Sequence, residues 1–180
     1  MRMALRILLA LILGVAIGLT VTWLSLRAGI SAFDERTGPW ITSQQFGSVD
    51  ASDRARAIVA LRGLMALTAR EAIYFNAATD SEGEPLEGGC RYQVSGPAVD
   101  ARWWSVTAYG TDSHLIANDG HAYSAGGDGA EPVMAITSPE PGPGEIATQD
   151  GANFELTLRA YGPGDGLLDG ELPMIERLGC

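Results

Sequence analysis

The sequence predicts a mostly β protein: an antiparallel β-sandwich, with a jelly roll as one arrangement, behind one N-terminal amphipathic helix and a transmembrane helix. Three observations carry this reading. Beyond residue 70 the chain alternates short apolar-polar runs with Gly/Pro clusters, the rhythm of strands and turns. A single stretch, with Ala57, Ile58, Leu61, Leu64 and Met65 at three- and four-residue steps, has helical periodicity. Ahead of both, Ile7 to Leu26 is a run of 20 uncharged residues.

At 1.5 Å per residue that run extends about 30 Å, the thickness of a hydrocarbon core. Its length and the arginine at its exit, Arg27, favour a retained anchor over a cleavable signal, whose apolar region is usually about 7–15 residues. Ile30-Ser31-Ala32 is the best cleavage candidate, so release after processing stands as the alternative. Arg2 and Arg6 precede the run, whereas Asp34 and Glu35 dilute Arg27 and Arg36 after it. This asymmetry keeps the amino terminus cytoplasmic and sends the remainder outward. Gly14 and Gly18 form one Gly-x-x-x-Gly, which small residues in an ordinary anchor also produce.

The chain therefore divides into a signal-anchor over residues 1–30, a linker over 31–50 containing Gly38-Pro39, and a helix-plus-sandwich domain over 51–180. Ser52 or Asp50 can cap the helix. Thr68 to Glu71 spells a capping box, but Ile73-Tyr74-Phe75 follows, so a strand is expected to begin near Glu71. Strand-like runs come at Arg91–Val94, Arg102–Tyr109, Pro132–Thr137 and Phe154–Tyr161, with turns at 81–85 and 95–97. The stretch 110–131 is Gly-rich and reads as a long excursion with at most short strands, and 139–144, with three prolines, reads as a loop.

Cys90 and Cys180 are the two cysteines. In an exported domain they are expected to pair, and a closed loop of that length gives roughly 4–5 kcal/mol by chain entropy. Two separate thiols or an intermolecular bridge are the alternatives. No Cys-x-x-Cys redox pair is present.

All twelve basic residues are arginine, and nine of them face all 22 acids after residue 30, so the exported part carries −13. Such a surface repels phosphate backbones and excludes nucleic acid as a partner. His114 and His121, near Asp112 and Asp119, lie in the Gly-rich excursion and read as solvated loop residues, so no metal is assigned. Gly-x-Ser-x-Gly, a phosphate-cradling loop and His-Glu-x-x-His do not occur, so the common hydrolase and nucleotide motifs are missing and no cofactor is assigned.

Two runs alternate legibly. Trp104, Val106 and Ala108 share one face and Ser105, Thr107 and Tyr109 the other; Phe154, Leu156, Leu158 and Ala160 oppose Glu155, Thr157, Arg159 and Tyr161. If these strands neighbour each other, Tyr109, Arg159 and Tyr161 form a polar-aromatic patch suited to an anion or a sugar ring. The bland reading is a wet outer sheet face.

The phrases Trp104-Ser105-x-Thr107-x-Tyr109 and Leu156-x-Leu158-Arg159-x-Tyr161-x-Pro163, with Leu172-Pro173-Met174-Ile175, resemble the domain-of-unknown-function family 1214 over about residues 70–180. The resemblance implies a β-sandwich of bacterial envelope or secreted proteins, often fused or adjacent to a second uncharacterised domain, with no established activity. Members often carry Asn-Trp-Leu-Pro before the last long strand, where this chain has Gly144 to Thr148.

The sequence thus points to a single-pass inner-membrane protein, anchored through residues 7–26, whose periplasmic domain is a binding or accessory module. A separately encoded envelope protein is its expected partner. The competing expectations are an enzyme acting on a glycan or small anionic envelope substrate, with Tyr109 and Arg159 in binding, and a purely structural subunit.

Overall fold

The computed structural model describes residues 2–27, 35–43, 45, 47–61 and 67–180. Helix α1, Arg2–Arg27, contains a 23-residue apolar stretch, Met3–Ser25, with mean hydropathy 2.5, long enough to cross a bilayer. Its large apolar side chains from Met3 to Leu24 are exposed.

Residues 31–50 are more than a spacer. Strands β1, Glu35–Thr37, and β2, Trp40–Thr42, pair antiparallel around a turn at Gly38-Pro39, where Gly38 adopts a φ of 60° that few other residues tolerate. Trp40 is 1% exposed and its indole N–H donates to the Pro173 carbonyl at 2.6 Å. The Gly-Pro pair that reads as a linker is a hairpin turn bringing a tryptophan into the core.

Helix α2, Asp53–Leu61, starts where expected. Ser52 caps it, its hydroxyl accepting the Ala55 N–H at 3.2 Å. Ala55 is buried on this helix; Leu64 and Met65 of the expected apolar stripe lie outside the described residues. The Thr68–Glu71 box forms, with the Glu71 carboxylate accepting from the Thr68 N–H and hydroxyl, but it closes a single turn before β3, Ala72–Ala77.

The remaining strands are β4, Arg91–Ala98; β5, Ala101–Gly110; β6, Ser124–Asp128; β7, Pro132–Ser138; β8, Ile146–Ala147; β9, Phe154–Pro163; and β10, Met174–Gly179. They form a six-stranded sheet in the order β1-β2-β3-β9-β5-β6 and a four-stranded sheet in the order β10-β4-β7-β8. Every pairing is antiparallel except β7 with β8. Neither sheet closes into a barrel.

One correction concerns 95–97, expected as a turn. Strand β4 runs through it, with a register shift between Gly96 and Ala98. A shift of this kind relieves Pro97 of a ladder hydrogen bond it has no N–H to make. Gly96 is required beside it, since a Cβ there would stand 2.5 Å from Pro173 Cα.

Both sheets contribute to one apolar core: Trp104, Val106, Leu156 and Leu158 from the larger, Tyr92, Val94, Val133 and Ile175 from the smaller. The Cys90–Cys180 disulfide is formed, linking the start of β4 to the residue after β10 across a sequence separation of 90. Arg177 reinforces the same corner, lying 5.4 Å over the Tyr92 ring and 3.7 Å from buried Asp80. Loop-closure entropy for a crosslink of this span is about 4–5 kcal/mol. Cys180→Ser should therefore lower the unfolding free energy of the domain by about that amount, seen as a lower urea midpoint in the variant or in the reduced native protein. Thiol labelling of the unreduced native protein should modify neither cysteine.

Candidate functional site

Strand β9 is hydrogen-bonded to β3 on one side and β5 on the other. Because side chains alternate, its apolar residues enter the core and Glu155, Thr157, Arg159 and Tyr161 stand on the outer face of the larger sheet. The register sets three cross-strand rows on that face. Ala72, Tyr161, Trp103 and Asp128 form the first, Tyr74, Arg159, Ser105 and Gly126 the second, and Asn76, Thr157, Thr107 and Ser124 the third.

Arg159 is the centre of this arrangement. Its guanidinium donates to Thr107 Oγ1 at 2.9 Å and to Tyr109 Oη at 2.6 Å. Its Cζ lies 5.8 Å from the Tyr74 ring centroid and 5.5 Å from that of Tyr109, within range of cation–π attraction. The Tyr74 hydroxyl in turn accepts the Leu67 N–H at 2.9 Å, and Thr157 donates to Asn76 Oδ1 at 2.8 Å. Ala72 and Tyr74 are buried while Trp103 is 47% exposed, so the face is covered on its β3 side and open on its β6 side.

Arg36 and Arg102 of the larger sheet are exposed to solvent; Arg91, Arg159 and Arg177 differ in their partners. Arg91 is paired with Glu145, and Arg177 with Asp80 and Glu87. Arg159, half-buried, has no carboxylate within ion-pair distance among the described residues; its partners are a hydroxyl and a phenol. A fork of five N–H donors, two of them held by neutral groups, keeps its full charge and three donors for an incoming anion.

The structure joins Tyr109 and Arg159 directly and sets Tyr161 one position further along the same face, opposite Trp103. Sequence reasoning missed Tyr74 and Trp103. Trp103 was within reach, since it shares the parity of Ser105 and Tyr109. Tyr74 was not, because only the β3–β9 register places it beside Arg159.

The histidines stay apart from this site. His114 Nδ1 lies 3.4 Å from Asp112 Oδ2, and His121 packs on Tyr123 with ring centroids 5.9 Å apart. Among the described residues no three His, Cys, Asp or Glu side chains gather to hold a metal ion. A separate open cleft of about 820 Å³ lies beside the disulfide, bordered by Arg91, Glu140, Gln149 and Asp150; none of the Arg159 cluster lines it.

The Tyr109 hydroxyl accepts a charged hydrogen bond, so Tyr109→Phe should cost about 1 kcal/mol in urea denaturation. Tyr161→Phe should stay within about 0.5 kcal/mol of the native protein.

Among solved structures, the VPA0106 protein of Vibrio parahaemolyticus resembles this chain at 25% identity and a TM-score of 0.57, covering 72% of this chain and 36% of that one. An uncharacterized protein of Burkholderia cenocepacia follows at 11% identity and a TM-score of 0.39, covering 61% and 29%. The chain thus spans about a third of the length of these structures. No curated protein matches it. A family model described as a protein of unknown function, DUF1214, matches residues 71–165, the span that holds β3 to β9 and every residue of the Arg159 cluster. The chain belongs to the DUF1214 family.

Proposed function

We propose that this chain is a β-sandwich binding module of the bacterial envelope, anchored in the inner membrane by α1 with its sheets in the periplasm. Its ligand lies on Tyr109, Arg159 and Tyr161. The observation that carries the reading is the guanidinium of Arg159, held between tyrosines and without a carboxylate partner among the described residues, in a domain otherwise strongly acidic. An acidic surface discourages anions everywhere except where a positive charge is left uncompensated. Trp103 and Tyr161 beside it offer flat apolar surface, so the ligand class that uses both features is a sugar ring bearing a carboxylate.

Localisation rests on α1 and on the disulfide, which belongs to oxidising compartments. A retained anchor predicts that N-terminal sequencing of the membrane-extracted protein begins at the start of α1; release by a signal peptidase moves it beyond residue 30. An accessory role fits the comparison of lengths, since nearly two-thirds of the Vibrio chain lies outside the part this chain matches. A separately encoded envelope protein contributing equivalent surface is the partner this reading expects.

The second reading is catalysis on a glycan or small anionic substrate. Glu155 favours it, because it stands on the same sheet face directly across from Tyr109, a carboxylate placed for acid–base work.

Glucuronate and galacturonate are the first probes. Binding should raise the melting temperature of the native protein. In Arg159→Ala the affinity should fall about tenfold or more, the loss of a charged hydrogen bond, with the fold unchanged by circular dichroism. A structural subunit predicts instead that neither uronate binds and that Arg159→Ala behaves as native. Turnover of an oligouronide, lost in Glu155→Gln, would favour the enzyme.

A further inference from the structure

The acidic charge is not spread evenly along the chain. Residues 71–180 hold four arginines against 18 acids, a net −14, whereas residues 27–70 hold six arginines against four acids, a net +2. The cationic part is the part nearest the helix that leaves the bilayer.

The contacts connect it to that helix step by step. Arg54, on α2, donates to the Ser25 carbonyl in the last turn of α1 at 2.8 Å. Two residues on in the same helix, Arg56 donates to the Ala51 and Val49 carbonyls at 3.0 and 2.8 Å. Gly47 runs so close to Leu67 that a Cβ on it would meet the Leu67 carbonyl at 2.1 Å. The end of α1, the start of α2 and the chain at Leu67 are therefore one continuous surface.

Its exposed side chains mix apolar residues and arginines with the acids Asp50 and Asp53. Val49 is 83% exposed and Leu67 43%, and Arg56 and Arg70 are exposed beside them. A shallow recess of about 390 Å³ between Ser48, Ala55, Arg56 and Val59 indents the same surface. Apolar residues exposed among arginines suit the headgroup boundary, where the former enter the acyl region and the latter meet phosphates.

We propose that Val49, Arg56, Leu67 and Arg70 form a docking surface for the anionic phospholipid headgroups of the bilayer that α1 spans. The proposal rests on α1 being a membrane anchor. Residues 71–180, at −14, are repelled by an anionic leaflet and the +2 segment is attracted to it, so docking fixes which part of the molecule meets the membrane.

The test uses the full chain carrying Val49→Cys, labelled with an environment-sensitive dye while the native disulfide stays closed. It is reconstituted into phosphatidylcholine vesicles with or without phosphatidylglycerol. The dye is expected to shift to the blue and resist aqueous quencher only where phosphatidylglycerol is present, and molar salt should reverse the effect. Arg56→Glu with Arg70→Glu should lose the shift while still floating with the vesicles after carbonate washing. Identical dye signals in both vesicle types, from protein that floats in both, overturn the docking surface and leave the anchor intact. Protein that floats in neither overturns the anchor and the docking surface together.

Discussion

The two-residue period of β9 is the constraint from which both the core and the candidate site follow. Phe154, Leu156, Leu158 and Ala160 are all essentially buried between the sheets, and the intervening Glu155, Thr157, Arg159 and Tyr161 are thereby committed to the outer face. A slip of one residue would place Arg159 where Leu158 is. An unpaired guanidinium there would cost several kcal/mol even after relaxation. Register is thus enforced by the core, and the same enforcement holds Arg159 against Thr107 and between Tyr74 and Tyr109. The site has no independent scaffold; it is the reverse side of the packing.

Charged groups serve two purposes in the two sheets. Arg91 and Arg177 meet carboxylates and fasten loops and the C-terminal strand around the Cys90–Cys180 bond. Arg177 shows how densely such a role is built: aromatic ring, buried aspartate and the Pro85 carbonyl all converge on it. Arg159 has a comparable aromatic setting but neutral hydrogen-bond partners. The difference separates an arginine whose charge is consumed by the fold from one whose charge is presented outward.

Much of this was legible in the sequence where side chains alternate strongly. Strands β5 and β9 and the apolar helix follow from residue pattern, the Cys90–Cys180 bond is expected from an exported setting, and Tyr109 and Arg159 are expected together on condition that their strands are neighbours. Elements lacking that signal were not legible. Strand β6 is Ser-Ala-Gly-Gly-Asp, with no residue of high strand preference; it is a strand because β5 offers it an edge and because glycine at 126 lets the two backbones approach, a Cβ there standing 2.8 Å from the Trp104 carbonyl oxygen. Hairpin β1–β2 hid behind Gly38-Pro39, and Pro97 looked like a turn until the register shift removed its obligation to donate. Strand β10, Met-Ile-Glu-Arg-Leu-Gly, alternates only over its first residues and is held as much by Arg177 and the disulfide as by its own pattern. The site was half visible for a related reason: face parity is written in one strand, but which residue of a neighbouring strand stands alongside is decided by register.

The disulfide also bears on how the molecule withstands proteolysis. The exposed loop 139–144 lies between Cys90 and Cys180 in sequence, and so does the Gly-rich excursion after β5. A single cut in either divides the chain into two pieces that each retain one half of the crosslink. Neither piece can diffuse away. The backbone can be severed at its most accessible points while both sheets, and β9 with its outward arginine, stay joined to whatever holds the amino-terminal helix.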